Sequence, residues 1–295
     1  MSAPQAFPAT VRTRDGLSLV TQHWPLAAPS NQAQPAKGVA VIVHGLGEHI
    51  GRYDHVARYL NEQGWHALGY DHRGHGRSPG RQGALKQGDD LLHDLATVID
   101  AARAAYPGQR LLLVGHSLGG VIAGRFVAAL ATPQEPASWS RPVDGLVLSS
   151  PALAVPISTL QRALLATIGQ LTPDVAVGNG LKAEWVCHNP ATVKAYLADP
   201  LVHDRVTGRL TMFILDAGAT VRARAAQWTV PTLIIWGGQD RCVKPEGSVA
   251  FATTAPRTMV SSQPFPGLSH EIFNEVEQAE VLKTMGDWLG RVFAG

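Results

Sequence analysis

LLLVGHSLGGVIAGRFVAAL, residues 111–130, is the stretch that decides the fold. Leu111 to Val114 is an unbroken apolar run of strand length, and Val121 to Leu130 carries the apolar repeat of a helix. Between them Gly115-His116-Ser117-Leu118-Gly119-Gly120 sets a serine in a GxSxG pattern, so the order is strand, tight turn, helix. Small residues flank Ser117 because larger side chains would clash in so sharp a turn. The turn also holds the serine oxygen at the positive end of the following helix. A second match, Gly76-Arg77-Ser78-Pro79-Gly80, fails on physical grounds. The residue after a nucleophile must lend its backbone N–H to the developing oxyanion, and Pro79 has none.

Working outward, the same alternation recurs. Strands are predicted at Gly38 to Val43, Trp65 to Tyr70, Gly145 to Ser149, Thr232 to Trp236 and, more weakly, Met259 to Phe265. Helices are predicted at Arg52 to Gln63, Leu91 to Tyr106, Ser117 to Ala131, Glu246 to Thr254 and Val276 to Phe293. Repeated βα winding of this kind builds a mostly parallel, doubly wound α/β sheet. Ahead of it, Val11 to Arg14, an Asp15-Gly16 turn and Leu17 to Trp24 read as an antiparallel hairpin, followed by a Pro, Ala and Gln linker at 27–37. Residues 151–228 interrupt the winding with helical periodicity and no strong strand, which predicts an inserted helical cap on a core of residues 1–150 and 229–295. Within the cap, Leu160, Leu164, Leu165, Ile168 and Leu171 form an apolar stripe; packing on its own domain is the commoner use of such a stripe, and transient contact with a lipid surface is the other.

On this architecture an acid and then a histidine follow the nucleophile, each on a loop beyond a later strand. Only His188, His203 and His270 come after Ser117, and the first two fall in the cap, so His270 is the expected general base. The strand Thr232 to Trp236 runs into Gly237-Gly238-Gln239-Asp240, which makes Asp240 the expected acid; Asp174, Asp199, Asp204 and Asp216 all belong to the cap. The loop His44-Gly45-Leu46-Gly47 should supply a second oxyanion donor, the Leu46 N–H, beside that of Leu118, and such a donor is typically worth about 3 kcal/mol.

Composition narrows the partners. Lys and Arg total 25 against 23 Asp and Glu, with no basic run of the kind that tracks a phosphate backbone, so nucleic acid is not expected. No segment approaches the roughly 20 apolar residues of a membrane span, and residues 1–10 lack a signal peptide's apolar region, so a cytoplasmic protein is expected. The cysteines, Cys187 and Cys242, should be free thiols. No metal is implied, because no CxxC or HExxH occurs and the twelve histidines are scattered.

The segments HGLGEHIGRYDHVARYLNEQG (44–64), YDHRGHGRS (70–78), GHSLGG (115–120), DPLVHD (199–204), GGQDRCV (237–243) and GLSHEIFNE (267–275) together resemble the monoacylglycerol lipase and lysophospholipase branch of the α/β-hydrolase family. The resemblance implies a triad of Ser117, Asp240 and His270, oxyanion donors Leu46 and Leu118, a cap over an apolar acyl channel, a lipid ester substrate and no cofactor. It also suggests that Glu48 and Arg52 shape the end of the pocket that takes the substrate's alcohol; the competing reading is that both order their own loop, with Arg52 paired to a nearby carboxylate. His44 and the His72 to Ser78 loop read as scaffold, and Cys242, two residues beyond Asp240, either touches the acid loop's chemistry or is an inert buried thiol.

Two other readings remain open. A triad does not by itself choose ester over amide, so an aminopeptidase or amidase of the same fold is the alternative, with Glu184 or a cap aspartate as the anchor for a substrate ammonium. A non-catalytic ligand receptor is the other, disfavoured because no catalytic group is missing.

Overall fold

The unbroken apolar runs become strands buried on both faces because helices cover both sides of the sheet they form. The computed structural model describes residues 6–26, 36–131, 136–157 and 174–294. Its strands are β1 (Thr10–Arg12), β2 (Ser18–Trp24), β3 (Gly38–Val43), β4 (Trp65–Tyr70), β5 (Leu111–His116), β6 (Gly145–Ser149), β7 (Ala176–Gly178), β8 (Arg205–Thr207), β9 (Thr232–Gly237) and β10 (Val260–Phe265). All but β7 and β8 join one eight-stranded sheet in the order β1-β2-β4-β3-β5-β6-β9-β10. β2 pairs antiparallel with both β1 and β4, and every pairing from β4 through to β10 is parallel. This is the α/β sheet with an antiparallel N-terminal hairpin that the sequence predicts.

Alternate residues of each inner strand face opposite layers, as the period of two requires. Val39, Val41, Val43, Leu111 and Leu113 join one apolar core, whereas Ala40, Ile42, Leu112 and Val114 join the other. The first core is closed by α2 (Asp90–Ala105) and α3 (Leu118–Ala128), the second by α1 (Asp54–Glu62) and by the C-terminal helix, Gln278–Val292. α1 starts at Asp54 rather than Arg52 because a 3-10 turn, Ile50–Tyr53, precedes it; other boundaries shift by a residue or two.

Between β6 and β9 the described residues hold more than helix. β7 and β8 pair as a short antiparallel ribbon, α4 (Pro190–Ala198) begins at Asn189, whose side chain accepts the Ala191 N–H, and α5 (Gly208–Ala223) follows β8 directly. The expectation of helix alone missed the ribbon because each strand is only three residues long and too short for an alternation to register. α5 lies on α3: Leu210, Phe213, Ala217 and Val221 are buried in the core that α3 shares. The stripe Leu160, Leu164, Leu165, Ile168 and Leu171 lies outside the described residues. One further helix, α6 (Pro245–Thr254), lies between β9 and β10, and the C-terminal helix is α7 (Gln278–Val292). Among the described residues no helix is long and apolar enough to cross a membrane.

Candidate active site

β5 ends at His116 and α3 begins at Leu118, so Ser117 alone makes the turn, with φ 53° and ψ −114°. Such backbone strain persists only where the surroundings fix it. Here the Ser117 N–H donates to the Ser149 carbonyl at 3.0 Å, and the Ser117 carbonyl accepts from Ala152 at 3.0 Å. The flanking glycines are compulsory: a Cβ on Gly115 would sit 2.5 Å from the Gly119 carbonyl oxygen, and one on Gly119 would sit 1.9 Å from that of Val43.

Two loops at the same sheet end deliver the partners. His270 Nε2 lies 2.8 Å from Ser117 Oγ, and His270 Nδ1 lies 2.6 Å from Asp240 Oδ2. With Asp240 as carboxylate, Nδ1 holds the hydrogen it donates, leaving Nε2 to accept the serine O–H. The other carboxylate oxygen, Oδ1, accepts the backbone N–H groups of Cys242 at 2.8 Å and Val243 at 3.0 Å, which fixes the acid. Burial pulls the His270 imidazole toward neutrality, but the charge of Asp240 and the hydrogen bond to it, with Glu271 and Glu48 behind, outweigh that and hold its pKa above the ordinary histidine range. His116, whose ring centroid is 4.8 Å from that of His270, is pushed down to about 4 by burial and by His270's charge, so it stays neutral.

The loop after β3 closes the third side. A Cβ on Gly45 would come 3.3 Å from that of Ser117, so the Gly45 backbone lies against the serine, one residue before Leu46. Leu118 is the first residue of α3, where N–H groups have no partner within the helix. Glu48, for which both a place near the substrate's alcohol and a loop-ordering role were open, is buried and accepts the Gly45 N–H and the Tyr53 O–H, each at 2.6 Å. Arg52 pairs with Glu48 and with Glu271, the residue after His270. Both side chains are thus bonded within their own loop, and Arg52 also to the His270 loop.

Ser78, the second GxSxG serine, is spent on scaffold: its Oγ donates to the Asp71 carbonyl at 2.7 Å and accepts the Val20 N–H at 2.8 Å. His44 and His72 bond each other's backbone, the His72 N–H to His44 Nε2 and His72 Nε2 to the His44 carbonyl, both at 2.9 Å. Of the rejected acids, Asp199 pairs with His49 and Asp204 with Arg205. Two residues escaped the sequence reading. Glu271 and Glu275 flank the base within GLSHEIFNE, but nothing in their spacing says that they are buried or what they bind.

Cys187 and Cys242 are free and buried. Asp240, Cys242 and His270 present donor atoms within 4.8 Å of one another, yet the set suits a metal poorly: Asp240 and His270 are bonded to each other, and burial drives the Cys242 thiol far above its ordinary pKa, away from the thiolate that ligates.

A serine, histidine and aspartate linked in this order at a strained strand-to-helix turn can carry out nucleophilic acyl transfer. Residues 34–277 match the family described as Hydrolase_4, serine aminopeptidase S33. The chain belongs to this family. This hydrolase is 34% identical to the monoacylglycerol lipase of Mycolicibacterium smegmatis, over 86% of this chain and 88% of that one. It is 27% identical to the phospholipase YtpA of Bacillus subtilis, over 83% of this chain and 92% of that one. Among solved structures, the monoacylglycerol lipase of Paleococcus ferrophilus superposes with a TM-score of 0.79 at 32% identity, covering 93% of this chain and 99% of that one. The hydrolase described here is thus a serine ester hydrolase of the α/β-hydrolase fold.

Proposed function

We propose that this enzyme hydrolyses lipid-like carboxylic monoesters, monoacylglycerols foremost, through an acyl-enzyme on Ser117. The observation that carries the reading is the hydrogen-bonded chain from Ser117 Oγ through His270 to Asp240, set against the Gly45-Leu46 loop. His270 takes the serine proton as Oγ attacks the ester carbon, and returns it to the leaving alcohol. Asp240 holds the imidazole in place and stabilises its charged form. The Leu46 and Leu118 N–H groups receive the oxyanion. Water, activated by the same histidine, then releases the acid.

A monoester is favoured over a peptide by the lipases of similar sequence, although the family's description names an aminopeptidase. Of the expected cap, residues 151–228, we take the described residues 174–207 as covering the acyl channel, because α5 packs with the core. Val175, Val177 and Leu197 are exposed apolar residues of that segment, which supports transient contact with a lipid surface.

The test is labelling with a fluorophosphonate, followed by hydrolysis of monoacylglycerols of rising chain length beside a lysophospholipid and an aminoacyl arylamide. The expected outcome is a single covalent label, lost in Ser117→Ala together with a fall in kcat on the order of 10⁶-fold. Preference for the arylamide would establish the peptidase reading instead, and an unlabelled wild type would favour a non-catalytic receptor.

A further inference from the structure

The guanidinium of Arg52 joins three parts of the site that are far apart in sequence. Nη1 donates to Glu48 Oε2 at 2.5 Å and to Glu271 Oε1 at 2.7 Å, and Nη2 donates to Glu271 Oε2 at 2.6 Å. Tyr196 of α4 covers its face, with the ring centroid 5.0 Å from the guanidinium carbon. The bonds continue on both sides. Glu48 fixes the Gly45 N–H, one residue before Leu46, and Glu271 is the chain neighbour of His270. An unbroken path of hydrogen bonds and covalent links therefore runs from the oxyanion loop to the base.

We infer that Arg52 is a positioning residue that holds the oxyanion loop and the His270 loop in register, and that it is not a contact for the substrate's alcohol. The inference rests on Ser117 and His270 acting as proposed above. Three of the guanidinium's N–H groups are committed to buried carboxylates and its face is covered, which suits a strut and leaves little to offer a ligand. Charge adds a second consequence. Two carboxylates share one cation, so the cluster carries a net negative charge behind the imidazole. The groups facing His270 are Asp240 and Cys242 from the acid loop, His116 beside the nucleophile, Glu48 from the oxyanion loop and Glu271 from its own loop; Glu271 and Glu48 add to Asp240 in favouring the imidazolium.

Arg52→Met, Arg52→Lys and Glu271→Gln are to be compared with wild type on a monoacylglycerol and on a p-nitrophenyl ester of the same acid, from about pH 5 to pH 9. Arg52→Met is expected to lower kcat by about 10²-fold on both esters with KM little changed, because the misplaced loops serve the transition state whatever the alcohol. Arg52→Lys should recover only part of the loss, since an ammonium cannot fork two carboxylates. Glu271→Gln should move the acid limb of kcat/KM to lower pH by roughly half a unit or more, because a negative charge that favours the imidazolium is gone. A rise in KM confined to the monoacylglycerol, with kcat intact, would overturn the inference in favour of substrate contact, as would an acid limb that does not move. If Arg52→Met does not fold, Arg52→Lys and Glu271→Gln carry the test. Fluorophosphonate labelling of wild type and of Ser117→Ala runs alongside, so an unlabelled wild type sinks the underlying mechanism, whereas a labelled wild type with unchanged Arg52 variants sinks this inference alone.

Discussion

Glu275 is completely buried, and its carboxylate serves four donors: the Ser269 N–H at 2.8 Å, the His188 N–H and His188 Nδ1 at 3.0 Å, and the Cys187 thiol at 3.2 Å. It ties the residue before His270 to the segment inserted between β6 and β9. Glu275→Ala strands two backbone N–H groups and should cost roughly 1–3 kcal/mol for each left unsatisfied, read as a fall in urea midpoint at constant m-value. Cys242 sits on the other side of the base. Its thiol is buried and its pKa is raised by burial and by the charge of Asp240, so a maleimide should leave the native enzyme unlabelled and fully active, and modify Cys242 only after unfolding. Labelling of the native protein with loss of activity would show that the acid loop opens. Ser117, Asp240 and His270 were legible from the sequence because chain order and the strand-to-loop transitions leave few candidates. Glu271 and Glu275 were not, because the identity of a buried carboxylate's partner is set by tertiary contact, as Arg52 reaching across 219 residues to Glu271 illustrates.

At the level of elements, the inner strands were legible for a simple reason: a run such as Gly38 to Val43 has no polar residue to place against water, so both of its faces must be covered. The three-residue β7 and β8 offered no such signal, and α5 was assigned with the insertion because its helical periodicity does not say what it packs on. The packing is informative. A Cβ on Gly124 of α3 would approach Val221 of α5 to 3.3 Å, so the two helices meet closely there, and one on Gly218 of α5 would meet the Leu153 carbonyl, in the loop after β6, at 2.6 Å. Val221→Ala should therefore destabilise the core by roughly 1–3 kcal/mol, measured as a lowered Tm. A loss well below that would mean that α5 belongs to the insertion after all.

Across the whole molecule, four buried histidines, His44, His72, His75 and His203, form one chain of tilted and edge-on ring contacts beside the loop after β3, with the His203 backbone N–H donating to the Gly47 carbonyl at 2.8 Å. Burial holds the pKa of each below the ordinary histidine range, so all are neutral when folded. Unfolding lets them take up protons below about pH 6.5. Their stabilisation is thus complete above that value and drains away as the pH falls toward the lowered folded values, at up to about 1.4 kcal/mol per pH unit for each histidine. His270, with its raised pKa, has the opposite sign but is a single group. Thermal melts should accordingly show Tm dropping between pH 7 and pH 5, and a flat profile would refute the account. The sheet order carries a further consequence in time. Ser117 follows directly on β5, whereas His270 lies 153 residues later, beyond β10 at the sheet's far edge. A chain emerging from its N-terminus therefore carries Ser117 without its histidine partner until residue 270 has followed.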